Sequence, residues 1–231
     1  VLSHAAHARD TAVVTADLRR GMTLPAVVLI PATAIMVLLA PFVLAAILPG
    51  TPRAATDASV GVLVTMMLGL VPYGWFFLVQ RAYYAYEDGR TPFGLQLVVT
   101  LVAVSVTLFG STRPPEDVAT WVGIGQSVSN LTAALIGFWL LRRRLGPLQL
   151  GRVLQQNIRL VIATVAATAC GGLVLRGLDL VLDTDTWAGA VVVTALVALV
   201  VLALSLALAA RMRVREVTET LAPLTRRLRR G

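Results

Sequence analysis

Tyr73, Phe77, Gln80 and Tyr84 recur at the spacing of one helix face, and Arg81 stands directly beside them. Together they offer two phenols, an amide and a guanidinium, groups that bind a polar or anionic molecule by hydrogen bond and charge. Two further stretches carry similar chemistry. Gln96 and Thr100 share a face with Ala103, Thr107 and Ser111, and Gln126 stands one turn before Asn130, which shares a face with Gly123, Ser127, Ala134 and Gly137. No phosphate loop, paired catalytic carboxylates, HExxH or GxSxG motif accompanies them, so binding is supported and catalysis is not. The chain is expected not to be an enzyme, and nothing in it calls for a cofactor.

The segments that carry these groups are strongly apolar. Of 231 residues, 57% are hydrophobic and 14% charged, against roughly 25% charged in an ordinary soluble domain. Mean hydropathy is +0.81. Six stretches contain no Asp, Glu, Arg or Lys: 21–52, 58–80, 91–112, 118–141, 160–175 and 186–210. About 20 helical residues cross a bilayer core; five stretches reach that length and the stretch 160–175 must borrow its flanks. The pattern predicts an all-α polytopic membrane protein with six transmembrane helices. It excludes a soluble enzyme, a disulfide scaffold and a membrane barrel, whose strands alternate polar and apolar residues.

Charge placement predicts sidedness. All 20 basic residues are arginine, and the net charge is +8. Segments 1–20, 81–90, 142–159 and 211–231 hold 17 Arg and 6 acidic residues; 53–57, 113–117 and 176–185 hold 3 Arg and 6 acidic residues. The positive-inside rule puts the first set, with both ends of this chain, in the cytoplasm. Arg159 is expected to snorkel from the start of the fifth span, near Gln156 or Asn157. The basic run Arg226–Arg230 reads as an anchor on anionic lipid rather than a nucleic-acid arm. His4 and His7 lack the companions of a metal site, and Cys170 is expected to be a small buried hydrophobe. The chain starts at Val1 without a secretory signal and is expected to be a piece of something longer.

Pro31 and Pro41 are expected to kink the first span, since each removes an intrahelical hydrogen bond. The second span, about 58–84, carries Pro72 near its middle. Interfacial aromatics account for Tyr83, Tyr84 and Tyr86, with Arg81 snorkelling. They account less well for Tyr73 and Gln80, because deeper polar groups face a neighbouring helix or water. For the third and fourth spans, packing explains the small residues, while Gln126 and Asn130 either bond across helices or line a wet cavity. The fifth and sixth spans are nearly all Ala, Val, Leu, Ile and Gly and are expected to face lipid or acyl chains.

The run from Arg81 to Pro92 resembles the cytoplasmic turn signature of the MurJ/MviN lipid II flippases, within the multidrug/oligosaccharidyl-lipid/polysaccharide exporter superfamily. The positions that match are Arg81, Tyr83, Tyr84, Ala85, Asp88, Arg90, Thr91 and Pro92. Pro92 suits the first turn of the next helix, Thr91 an N-cap, and Gly89 a tight turn. The opening Val1–Ala6, the approach at Leu18–Gly21 and the basic run Arg142–Arg144 also resemble the family.

The resemblance implies the C-terminal six of fourteen spans: a loop or helix end at 1–21, four helices of a transport bundle at 22–141, a basic loop at 142–159, two additional helices at 160–210 and a basic tail at 211–231. It implies a bacterial cytoplasmic membrane protein that moves an undecaprenyl-diphosphate-linked peptidoglycan precursor between leaflets by alternating access. Tyr73, Gln80, Arg81, Tyr84, Gln96, Thr100, Gln126 and Asn130 are then candidates to line the cavity. Asp88, Gly89, Arg90, Thr91 and Pro92 form the turn. Expected partners are the lipid-linked precursor, membrane lipids and cell-wall synthesis or division proteins, with no nucleic acid. The alternatives are an exporter of polysaccharide-lipid or drugs, and a non-transporting scaffold.

Overall fold

The computed structural model describes residues 11–48, 50–51, 53–146, 150–179 and 187–212. The histidines, the Arg226–Arg230 run and the start of the resemblance at Val1–Ala6 lie outside them. Among the described residues seven helices follow in order: α1 Thr11–Ile47, α2 Arg53–Leu68, α3 Leu70–Ala85, α4 Arg90–Gly110, α5 Pro115–Leu145, α6 Leu150–Asp179 and α7 Trp187–Arg211. No strand occurs among the described residues. Five helices are long and apolar enough to cross a membrane, and the pair α2–α3 makes a sixth span if counted as one broken helix. The described residues are all-helical, as expected, with five to six helical segments able to span a membrane.

α1 runs as one continuous helix of 37 residues through Pro25, Pro31 and Pro41. The second span is interrupted at Gly69, with a bend of 41°. The reason lies at Pro72. Its ring collides with the carbonyl of the residue four before it, Leu68, and it has no N–H to donate. α2 accordingly ends at Leu68, and Pro72 falls in the first turn of α3, where a missing N–H costs nothing.

The chain divides into two compact units. The first takes residues 1–25 and 51–150 and is organised around α5, which packs against α2, α3 and α4. Lipid is as apolar as leucine, so such helices are held by close packing and interhelical hydrogen bonds rather than by expulsion of water. α5 therefore meets its neighbours through small residues. A methyl group built on Gly137 reaches within 2.6 Å of Val79 on α3, and one on Gly123 within 3.1 Å of the Val62 carbonyl on α2. The small residues of the fourth span thus serve packing, as expected.

The second unit takes residues 26–50 and 151–231. Its core is Leu39 of α1, Ala167 of α6, and Val193, Val197 and Val201 of α7, each fully buried. The opposite faces of α6 and α7 expose Leu154, Ile158, Val165, Leu173, Leu196 and Leu199. Cys170 belongs to that outward set: it is exposed, not buried as expected. A thiol is apolar enough for a hydrocarbon-facing surface, so its type left the side of the helix undecided. The Arg159 guanidinium, three turns into α6, donates to the Met212 carbonyl just past α7 at 3.4 Å.

Candidate functional site

The turn between α3 and α4 is held by backbone and side-chain hydrogen bonds together. α3 closes with paired backbone bonds, from the Asp88 N–H to the Tyr83 carbonyl at 3.1 Å and from the Glu87 N–H to the Tyr84 carbonyl at 3.0 Å. These are the two bonds of a Schellman cap, which requires a left-handed residue at the position of Glu87. Glu87 takes it, with φ 58°. Gly89, expected to provide the tight turn, has an ordinary φ of −86° and stands in open space. The strained residue is a glutamate two positions earlier, which glycine statistics do not reveal.

Asp88 begins the next helix. Its Oδ1 accepts from the Arg90 and Thr91 N–H groups, both at 3.1 Å, and its Oδ2 accepts from the Thr91 hydroxyl at 2.9 Å. The expected capping residue, Thr91, is therefore a donor inside the first turn, and the aspartate three positions before it is the cap. A carboxylate accepts two N–H groups where a hydroxyl aims at one, and it complements the positive end of the helix dipole. Pro92 is in the first turn and buried, as its type suggests. Arg144, at the end of α5, closes the cluster. It donates to Asp88 Oδ2 at 3.1 Å and lies 4.7 Å from the Tyr86 ring centre.

This environment holds the Asp88 carboxyl below the usual carboxylate range. The Thr91 N–H contributes most, partial burial opposes it, and the Thr91 hydroxyl, Arg144 and the Arg90 N–H add to the lowering. Burial pushes the Tyr86 phenol up, against the pull of Arg144.

The candidate binding residues fall into two groups. On α3, Tyr73 and Tyr84 are exposed (49% and 58%), Gln80 is half-buried, and exposed Arg81 stacks on Phe77 at 4.7 Å. The buried side of the same helix is Phe76, Val79, Ala82 and Tyr83. On α4, Gln96 and Thr100 are exposed, with the Thr100 hydroxyl donating to the Gln96 carbonyl at 3.1 Å. On α5, Gln126 is half-buried and Asn130 is buried, and the Gln126 amide donates to Asn130 Oδ1 at 3.4 Å. Among the described residues no hydrogen bond joins the α3 stripe to this amide pair.

Three participants escaped the sequence. Arg144 reads there only as part of a basic loop; its pairing with Asp88 has no local signal. Arg143 stacks on exposed Trp139 at 3.6 Å, a pair that i, i+4 spacing could have flagged. Ser127, read as a small packing residue, donates its hydroxyl to the Thr65 carbonyl on α2.

Comparison with known proteins agrees with these features. The family model described as "Lipid II flippase MurJ" matches residues 1–205. A protein of Synechocystis sp. named "Probable lipid II flippase MurJ" is 29% identical over 178 residues, 74% of this chain and 32% of the relative. One of the same name from Borreliella burgdorferi is 22% identical over 126 residues, 54% of this chain and 24% of the relative. The chain thus spans about a quarter to a third of the curated relatives it matches. No solved structure matches it. With a bonded Asp-x-Arg-Thr-Pro turn between two membrane-length helical segments and a family match over most of its length, the chain belongs to the MurJ lipid II flippase family.

Proposed function

We propose that this chain forms the C-terminal helices of a lipid II flippase, which carries an undecaprenyl-diphosphate-linked peptidoglycan precursor across the bacterial cytoplasmic membrane by alternating access. The match to the family over residues 1–205 carries this reading, and both relatives bear the corresponding name. The arginine-rich ends, including the Asp88–Arg144 turn, face the cytoplasm on the positive-inside rule. Tyr73, Gln80, Arg81 and Tyr84 of α3, Gln96 and Thr100 of α4, and Gln126 and Asn130 of α5 form one flank of the translocation cavity. Support comes from the exposed members, Tyr73, Arg81 and Tyr84 of α3 and Gln96 and Thr100 of α4: polar groups on the uncovered side of a membrane-spanning segment are costly against hydrocarbon, so that side faces water or protein.

In this arrangement Arg81, without a carboxylate partner among the described residues, is available to a diphosphate through forked, charge-assisted hydrogen bonds. Its stacking on Phe77 holds the guanidinium plane without consuming its donors. The apolar outer faces of α6 and α7 suit a polyprenyl tail or the surrounding lipid. The test is complementation: the intact gene is expressed in cells depleted of their own flippase, and lipid II exposed at the outer leaflet is measured. Restored exposure and growth are expected. Intact expression without exposure would overturn the reading, and export of a different lipid-linked glycan would favour the polysaccharide-exporter alternative.

A further inference from the structure

The break between α2 and α3 is bonded in an unusual way. In an unbroken helix the Gly69 N–H would bond to the Thr65 carbonyl, four residues back. Here it bonds to Met66 at 3.1 Å, and the Thr65 carbonyl is left without it. That carbonyl is met from another helix, by the Ser127 hydroxyl of α5. The approach depends on Gly69 itself, since a methyl group there would lie 2.8 Å from the Ser127 Cα. The Thr65 hydroxyl donates to the Gly61 and Val62 carbonyls at 2.8 and 3.0 Å and lies 3.5 Å from the Thr120 carbonyl of α5.

We propose that the bend at Gly69 is a two-position joint whose state is set by which carbonyl the Ser127 hydroxyl bonds. In the bent state, seen here, Ser127 bonds Thr65 and Gly69 bonds Met66. In a less bent state the Gly69 N–H returns to the Thr65 carbonyl, and Ser127 bonds back to the Gly123 carbonyl one turn earlier on α5, a common alternative for serine in helices. Both states satisfy the same two donors. The exchange strands neither donor in the membrane, where an unmet polar group is heavily penalised. Pro72 cannot donate in either state and its ring keeps some bend throughout. Because α3 carries the Tyr73–Tyr84 stripe, the joint would aim that stripe, and Ser127 is a positioning residue rather than a binding one. The link to transport rests on the proposed function; the joint itself does not.

The experiment places spin labels at Asp57→Cys and Gly89→Cys in the intact protein, on a Cys170→Ala background, and measures their separation in lipid nanodiscs. Asp57 is exposed and Gly89 has open space around it. At about 1.5 Å of rise per residue, removing the whole bend across the two arms would lengthen the separation by about 3 Å, so the partial relaxation that Pro72 permits lengthens it by less. Ser127→Ala removes the donor that serves the bent state and should move the distribution to the longer distance. Pro72→Ala should do the same by a different route, and answers the question if Ser127→Ala does not reach the membrane. Wild-type distances in Pro72→Ala, or in a well-inserted Ser127→Ala, would show a rigid elbow and overturn the joint. Since the distances need no substrate, shifted distances in a protein that never exposes lipid II would defeat the transport reading alone.

Discussion

Arg144 and Asp88, 56 residues apart in sequence, are joined at 3.1 Å, so that the end of α5 is pinned to the turn between α3 and α4. The two residues contribute unequally. Asp88 also caps α4, whereas Arg144 adds a partly exposed ion pair (43% and 24% exposed). Asp88→Ala is expected to cost about 1–2 kcal/mol as a lost cap, and Arg144→Ala about 0.5 kcal/mol as a lost exposed pair. Denaturation of the detergent-solubilised protein measures both; equal losses would refute the ranking.

The same carboxylate predicts a pH dependence. Its folded pKa lies below its ordinary value, so its stabilisation is fully present above the unfolded carboxylate range and fades as pH falls through the folded value. The stability difference between wild type and Asp88→Asn should therefore be flat near neutrality and shrink in acid, below the ordinary carboxylate range. A difference that grew in acid would reverse the sign.

Glu87 and Gly89 predict opposite responses from what their residue types suggest. Glu87→Gly relieves a left-handed non-glycine residue and should stabilise by about 1 kcal/mol. Gly89→Ala should be close to neutral, given its ordinary φ and open surroundings. Melting temperatures of the two variants settle the point; a destabilising Gly89→Ala would mean the turn needs glycine there.

Arg81→Ala in the intact protein is expected to reduce lipid II exposure at the outer leaflet by about tenfold or more, the scale of one lost charge-assisted contact. Membrane insertion should be unchanged, because Arg81 is exposed and stacks on Phe77 of its own helix. Wild-type exposure of lipid II in this variant would remove Arg81 from the site.

Asn130→Leu separates packing from transport. Asn130 is 5% exposed and accepts from Gln126 on its own helix, so leucine leaves a half-buried amide without that acceptor. Transport should fall severalfold while the amount of inserted protein is maintained. Unchanged growth after depletion of the native copy would leave Asn130 a packing residue.

Much of this protein is written along single segments. Charge-free runs of bilayer length dictate helices, because a spanning backbone must satisfy its own hydrogen bonds, and the run from Arg81 to Pro92 carries the family signature without reference to any other segment. Small residues along α5 announced close contacts. What sequence could not decide was which competing local preference won. Three prolines in α1 left one continuous helix, while the span of Pro72 broke at Gly69, where the Thr65 carbonyl that the break uncovers accepts from Ser127 of α5. Thr91 and Asp88 were both credible caps, and the carboxylate prevailed because it reaches two N–H groups and the Thr91 hydroxyl while Arg144 approaches from a distant helix. Cys170 was equally suited to a core or to lipid, and only the packing of its helix chose the outer side. Ser127 and Arg144 both act from α5, at distances in sequence that no local spacing records.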